Sequence, residues 1–162
     1  MHDRKEQETP CGRRDMTLSN DGTVKCIFLQ TPTEQQIGQI VELYRAQGWW
    51  NPSDEVRQQL IPRLISGSHC FVVAAEGDQI IGMGRAISDG ISDAYIQDLA
   101  VLSTRRKQGI GKIILQALLE RLEADGLSWI GLIAEPGSCN LYRLSGFQEM
   151  TAWVPMLLIK KP

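Results

Sequence analysis

Hydrophobic and polar positions alternate with two periodicities along this chain, one typical of strands and the other typical of helices. Residues 24–29 form a short apolar run that predicts the first strand. Thr33 is placed to cap a helix that continues to about Gln47, and Gly48 is placed to end it. The chain is therefore expected to open with a strand followed by an amphipathic helix.

A second helix is expected after the loop that carries Trp49 and Trp50. Asn51 or Ser53 is placed to cap it. Pro62 lies within the run and predicts a break or kink, because proline removes a backbone hydrogen bond. The predicted buried stripe of this helix contains Val56, Leu60, Leu64 and Ile65.

Three consecutive antiparallel strands are predicted in the middle of the chain. Residues 69–76 turn at Gly77 and Asp78 into residues 79–88. Asp89 and Gly90 then lead into a third strand over residues 94–102. These segments predict a meander.

The last third predicts a helix, a strand and a short helix, followed by two terminal extended strands. Their predicted ranges are residues 110–123, 128–134, 137–144, 147–150 and 153–159. The order of elements predicts an α/β (α+β) fold, in which a mostly antiparallel sheet carries helices on both faces. The strand–helix–strand unit over residues 94–134 predicts a parallel crossover.

Domain organisation and partners follow from the rest of the composition. Residues 1–22 are polar and lack apolar periodicity, so we expect a flexible extension before a single domain over residues 23–162. A net charge of −2 gives the chain no overall positive charge that would attract nucleic acid. No apolar run reaches the ~20 residues that span a bilayer. Neither nucleic acid nor membrane is an expected partner. Four widely spaced cysteines predict free thiols in a reducing cytoplasm and no structural metal.

Candidate chemistry is concentrated between a predicted strand and a predicted helix, where Gly109 and Gly111 follow three cationic side chains. Backbone N–H groups at a helix N-terminus have no partner within the helix, and they favour phosphate groups. A P-loop does not fit, since its first glycine is replaced by Arg106 and its Ser/Thr by Ile113. A dinucleotide fingerprint does not fit either, since its third glycine is replaced by Ile114.

The pattern Arg106-x-x-Gly109-x-Gly111 resembles the R/Q-x-x-G-x-G/A signature of the GNAT N-acetyltransferase superfamily. Upstream, residues 98–101 (DLAV) are similar to the fourth strand of that family. Downstream, residues 141–147 (LYRLSGF) are similar to its F-Y-x-x-x-G-F segment. Three motifs in this order make the resemblance specific.

The resemblance implies acetyl-coenzyme A as cosubstrate, with no metal. It also implies a V-shaped splay between the fourth and fifth strands, a bulge in the fourth strand, and a pyrophosphate held by the glycine turn. The cofactor-binding residues that it implies are Leu99, Ala100, Val101, Arg106, Lys107, Gln108, Gly109, Ile110, Gly111, Lys112 and Asn140.

Tyr142 aligns with the usual general acid of the family, and tyrosine, with a pKa of about 10, donates a proton at neutral pH. Packing of its ring under the turn at Gly146 is the alternative. The general base is not evident: Asp98 is a candidate base or amine contact, Glu135 is a candidate base or a solvated loop carboxylate, and water is a third route. Trp49 and Trp50 are expected either to wall the acceptor pocket or to cover the sheet.

The expected function is acetyl-coenzyme A-dependent N-acetyl transfer, by direct attack in a ternary complex. The expected acceptor is the primary amine of a small molecule or of a protein N-terminus. Two other classes remain open at this point: a non-catalytic acyl-coenzyme A sensor, and an interaction module that uses the tryptophan loop. The apolar end over residues 153–159 is a candidate interface for a homodimer.

Overall fold

A computed structural model describes residues 24–51 and 59–159 of the chain. The predicted N-terminal extension, Ser53 and Val56 lie outside these residues. The helices and strands are β1 (Val24–Phe28), α1 (Glu34–Ala46), α2 (Ile61–Ser66), β2 (Cys70–Glu76), β3 (Gln79–Ser88), β4 (Asp93–Val101), α3 (Ile110–Ala124), β5 (Trp129–Leu132) and α4 (Cys139–Leu144).

The five strands form one sheet in the order β1-β2-β3-β4-β5. The first three neighbouring pairs are antiparallel, and β4 pairs with β5 in parallel. Helix α3 makes the connection between β4 and β5, because parallel neighbours cannot be joined by a tight turn. The predicted meander, crossover and fold class are confirmed.

Alternate residues of β2 enter two separate cores. Val72 packs in a cluster that contains Leu118 of α3. Its neighbour Val73 packs in a second cluster, with Ile40 of α1 and Ile61 of α2. Successive side chains of a strand point to opposite faces, so the two clusters lie on the two sides of the sheet. The prediction of helices on both faces is confirmed.

Helix α1 begins as its sequence predicts. The backbone N–H of Gln36 donates to Thr33 Oγ1 at 3.2 Å, and the backbone N–H of Thr33 donates to Gln36 Oε1 at 2.9 Å. This reciprocal pair is a capping box, which satisfies two backbone donors at the helix start. Gly48 follows the last turn with a φ of 72°, a left-handed conformation that glycine adopts without strain.

The second predicted helix is described only from residue 59 onward, because residues 52–58 lie outside the described ranges. Among the described residues, α2 begins only at Ile61, so Pro62 occupies the first turn, where proline leaves no hydrogen bond unmade. The N-cap position of α2 is Leu60, and Leu60 is 40% exposed, so the prediction that it is buried is wrong. Ile65 is buried as expected.

The two terminal strands predicted after α4 are also not observed. The described part of the chain forms no strand beyond β5, and β5 stands at the edge of the sheet. Six large apolar side chains between Trp153 and Ile159 are 72–94% exposed. An apolar pattern indicates that a segment needs burial, but a strand also needs a neighbour with open backbone groups. No helix in the described ranges is long and apolar enough to cross a membrane.

Candidate active site

A bulge in β4 interrupts its pairing with β3. Arg85 faces Gln97, and Met83 faces Ala100, so β4 carries one more residue than β3 across this interval. Asp98 lies inside the bulge with a φ of 54°, a left-handed conformation in which aspartate is enriched. A bulge redirects backbone groups in the middle of a strand. The bulge implied by the sequence resemblance is present.

The Asp98 carboxylate is held by two donors that reach the same oxygen. Tyr44 Oη donates to Asp98 Oδ2 at 2.7 Å, and Arg85 Nε donates to it at 2.5 Å. Arg85 Nη2 also donates to Gln97 Oε1 at 2.8 Å. Burial raises the pKa of Tyr44 well above its usual range, and the charge of Asp98 adds to the rise. Tyr44 therefore stays a proton donor to this ion pair.

The pairing of strands β4 and β5 ends just before the bulge. Their pairing ends at Ile96 and Leu132, so the rest of β4 has no partner on β5. A pocket of about 400 Å³ lies at this opening. The side chains around it that carry candidate chemistry are Trp49, Tyr95, Asp98, Glu135, Ser138 and Tyr142.

Tyr142 lies on α4 and borders this pocket. Its ring packs edge-on against Phe147, with ring centroids 6.0 Å apart. Burial raises the pKa of Tyr142 above its ordinary value, the charge of Glu135 raises it further, and a hydrogen bond with Ser138 acts in the opposite direction. The phenol is therefore protonated at neutral pH, as a general acid must be.

The two adjacent tryptophans have different environments. Trp49 borders the pocket, and its Nε1–H donates to Glu135 Oε1 at 3.0 Å. Trp50 instead stacks on Tyr44, with ring centroids 4.2 Å apart and an interplanar angle of 10°. Both tryptophans pack against the core beside α1, and Trp49 also borders the pocket. Glu135, for which the sequence left two interpretations open, belongs to the pocket wall.

The glycine turn keeps its backbone donors available. Lys107 has a φ of 60° and Gly109 a φ of 82°, and no side chain caps α3. A Cβ atom added to Gly111 would lie 3.5 Å from the Leu141 side chain. The N–H groups of Ile110 and Gly111 stand at the start of α3, where a helix supplies no acceptor, whereas the N–H of Lys112 donates to the Gly109 carbonyl at 3.0 Å. The Lys112 side chain is exposed. This arrangement fits an anion.

The sequence of the chain matches the model of the Acetyltransferase (GNAT) family over residues 37–147. The chain belongs to the GNAT acetyltransferase family. The acetyl donor that this family implies is acetyl-coenzyme A. The uncapped start of α3 fits its pyrophosphate, and the unpaired edge of β4 fits an extended chain such as its pantetheine arm.

Individual relatives agree with the family. The uncharacterized N-acetyltransferase ycf52 of Gracilaria tenuistipitata var. liui is 26% identical over 136 residues, which cover 80% of this chain and 71% of that protein. Serotonin N-acetyltransferase 2, chloroplastic, of Oryza sativa subsp. japonica is 34% identical over 67 residues, or 41% of this chain and 34% of that protein. The crystal structure of a probable acetyltransferase from meticillin-resistant Staphylococcus aureus is similar, with 25% sequence identity and a TM-score of 0.68. The match covers 85% of this chain and 99% of that protein.

Two arginines of the glycine turn make hydrogen bonds to other parts of the fold. Arg106 Nη2 donates to Gln47 Oε1 at 2.9 Å, and Arg106 Nε donates to the Val101 carbonyl at 3.3 Å. Arg105 Nη2 donates to Glu76 Oε1 at 2.7 Å. These bonds fasten the turn to the end of α1 and to β2. Arg106 therefore helps to position the turn, and its side chain is exposed, as are those of Lys107 and Lys112.

The remaining predicted site residues fall into two groups. Gln108 is exposed within the turn, and Asn140 is exposed on α4. Ile110 has a buried side chain, so only its backbone is available to a ligand. Glu135, which the sequence offered as a candidate base or as a solvated loop carboxylate, borders the pocket. Its position directly after the last apolar residues of the β5 region was the available signal.

Proposed function

We propose that this chain transfers the acetyl group of acetyl-coenzyme A to a primary amine by direct attack in a ternary complex. The acceptor amine belongs to a small molecule or to a protein N-terminus. One observation carries the proposal: the pocket at the opening between β4 and β5 is bordered both by the β4 bulge and by Tyr142. Both parts that acyl transfer requires, a backbone donor and an acid, thus border one space.

Each part has a chemical role in this proposal. The backbone N–H groups from Lys107 to Gly111 bind the pyrophosphate, and Leu99–Val101 pair with the pantetheine arm. A backbone N–H of the bulge stabilises the negative charge that develops on the carbonyl oxygen during attack. Tyr142 protonates the leaving thiolate. Acetyl-coenzyme A supplies the activated thioester.

The acceptor is tested with a panel of amines. Serotonin is included because the rice relative is named for it, together with 1,4-diaminobutane, lysine and a tetrapeptide with a free N-terminus. We expect thiol release from acetyl-coenzyme A and an acetylated product, detected by mass, with at least one class. Binding of acetyl-coenzyme A without release for any amine would contradict the enzyme and leave a non-catalytic sensor. Failure to bind it would leave an interaction module.

The pyrophosphate assignment has its own test. Gly109→Trp fills the space beside the start of α3, so we expect acetyl-coenzyme A to bind at least about tenfold more weakly in calorimetry. Gly126→Trp is the matched control, because Gly126 lies at the other end of the same helix with a similar φ of 84° and an added Cβ would meet no atom within 4 Å. Equal affinities of the two variants would overturn the assignment.

Three broader expectations stay predictions alongside this function. They are a single domain over residues 23–162, a cytoplasmic location, and the absence of nucleic-acid and membrane partners. The rice relative is named chloroplastic, which is a property of that protein. Limited proteolysis followed by mass analysis tests the domain boundary, since cleavage before residue 23 should leave acetyl transfer intact.

A further inference from the structure

Two carboxylates border the pocket, and they differ in what holds them. Asp98 Oδ2 accepts from the Arg85 guanidinium at 2.5 Å and from the Tyr44 hydroxyl at 2.7 Å. Within the described residues, the side-chain donor to Glu135 is the neutral indole N–H of Trp49, at 3.0 Å. One carboxylate is thus neutralised by a cation, and the other keeps an unbalanced negative charge.

This difference decides which carboxylate is suited to accept a proton. Asp98 Oδ2 already accepts hydrogen bonds from the Arg85 guanidinium and the Tyr44 hydroxyl, so it is less open than Glu135 to an incoming ammonium group. Its two bonds also support the left-handed backbone of the bulge, so Asp98 acts as a positioning residue. Glu135 is exposed, which lets it pass a proton on to solvent.

Glu135 also lies close to Tyr142, the proposed general acid. It borders the same pocket as Tyr142, and its negative charge contributes to the raised pKa of that phenol. The loop that carries it is held by Ser138 Oγ, which donates to the Glu135 carbonyl at 2.7 Å. In the described part of the chain, the other titratable groups around this space are Tyr95 of β4, Cys139 of α4, and Asp98 with its partners Arg85 and Tyr44.

We infer that Glu135 binds the ammonium form of the acceptor amine and takes its proton before acyl transfer. The inference rests on the proposed function and names the base that the sequence left open. A base is needed because an alkylamine, like the lysine side chain with its pKa of about 10.4, is almost entirely protonated at neutral pH and has no free electron pair.

The proton transfers balance over one cycle. The ammonium group gives a proton to a Glu135 carboxylate oxygen, and the neutral nitrogen then forms a bond to the thioester carbonyl carbon. The carbon–sulfur bond breaks, and the sulfur takes the hydroxyl proton of Tyr142. The second nitrogen proton returns to the Tyr142 phenolate. Glu135 releases its proton to solvent, so one proton leaves for each amide formed.

The test compares Glu135→Gln with wild type on the fastest amine of the panel, between pH 6.5 and 9.5. At pH 7 we expect kcat/KM to fall about 100-fold in the variant, a typical contribution of a general base. The deficit should shrink as pH rises, because the amine then deprotonates without help. Acetyl-coenzyme A affinity, measured by calorimetry, should stay unchanged.

Trp49→Phe separates this role from a structural one. It removes the hydrogen bond to Glu135 but keeps the carboxylate, so its pH profile should retain the wild-type shape even if its rate is lower. A pH-independent deficit in Glu135→Gln, or a rate within about threefold of wild type, would overturn the inference alone. Wild type without turnover on every amine would overturn the proposed function as well.

Discussion

Tyr142 has two environments that sequence reasoning treated as alternatives. Its ring packs against Phe147, as a core residue does, and it also borders the pocket. Burial raises the pKa of the phenol, and the nearby charge of Glu135 raises it further. Packing therefore orients the ring and keeps its proton in place, so the structural and the chemical interpretations support one another.

Replacing the Tyr142 hydroxyl tests the acid role. In Tyr142→Phe the ring still packs, so acetyl-coenzyme A affinity should be retained while kcat falls about 100-fold. Because the pKa is raised, wild-type kcat should not decline through loss of this proton until the pH exceeds about 10. Tyr95→Phe, which removes a second phenol that borders the pocket, is the control. Equal kcat values for Tyr142→Phe and wild type would leave Tyr142 as a packing residue.

Helix α3 approaches the sheet closely because β3 carries glycine beneath it. A Cβ atom at Gly84 would lie 2.9 Å from Ile114 Cγ2, 3.1 Å from Leu99 Cδ1 and 3.2 Å from Leu118 Cδ1. These side chains belong to the core between α3 and the sheet, and Leu99 also belongs to the β4 bulge. The fit of one helix to one strand therefore influences the geometry of the site.

Gly84→Ala should destabilise the fold, because the added methyl group overpacks this core. We expect a loss of about 1–3 kcal/mol in the free energy of unfolding, measured with urea. Gly38→Ala is the matched control, since Gly38 lies within α1 and an added Cβ meets no atom within 4 Å. It should gain about 0.5–1 kcal/mol, as alanine does in a helix. A gain for both variants would contradict this account of the interface.

Element boundaries followed from the sequence where the signals were local. The capping box at Thr33 and the glycine at the end of α1 were both readable from residue types. The boundary of α2 was not, because Pro62 is equally compatible with a kink and with a first turn. The choice depends on the packing of Ile61 and Ile65, which only the fold reveals.

The whole molecule leaves an apolar segment uncovered at its C-terminal end. Trp153, Met156 and Leu157 are 72%, 94% and 84% exposed, and the nearest sheet edge in sequence, β5, has no outer neighbour in the described structure. Exposed apolar surface of this extent is unfavourable in water and marks an interaction site. The homodimer predicted from the sequence would cover the segment with a second copy.

Charge placed in this segment should prevent that association. In light scattering coupled to gel filtration, wild type should elute as a dimer and the double variant Leu157→Lys, Leu158→Lys as a monomer, because a buried unpaired ammonium group is costly. Ile91→Lys is the control, since Ile91 is 85% exposed in the turn between β3 and β4. A monomeric wild type across the accessible concentrations would refute the dimer.

The sequence by itself determined most of the elements, the glycine turn and the family. These depend on periodicity, caps and backbone conformations that neighbouring residues set locally. Only the tertiary structure decided the partners within the site. Trp49 meets Glu135 across 86 positions, and Tyr44 meets Asp98 across 54. Such contacts join side chains from different elements, and no local pattern encodes them, because they arise when packing of the sheet and helices brings distant loops to one opening.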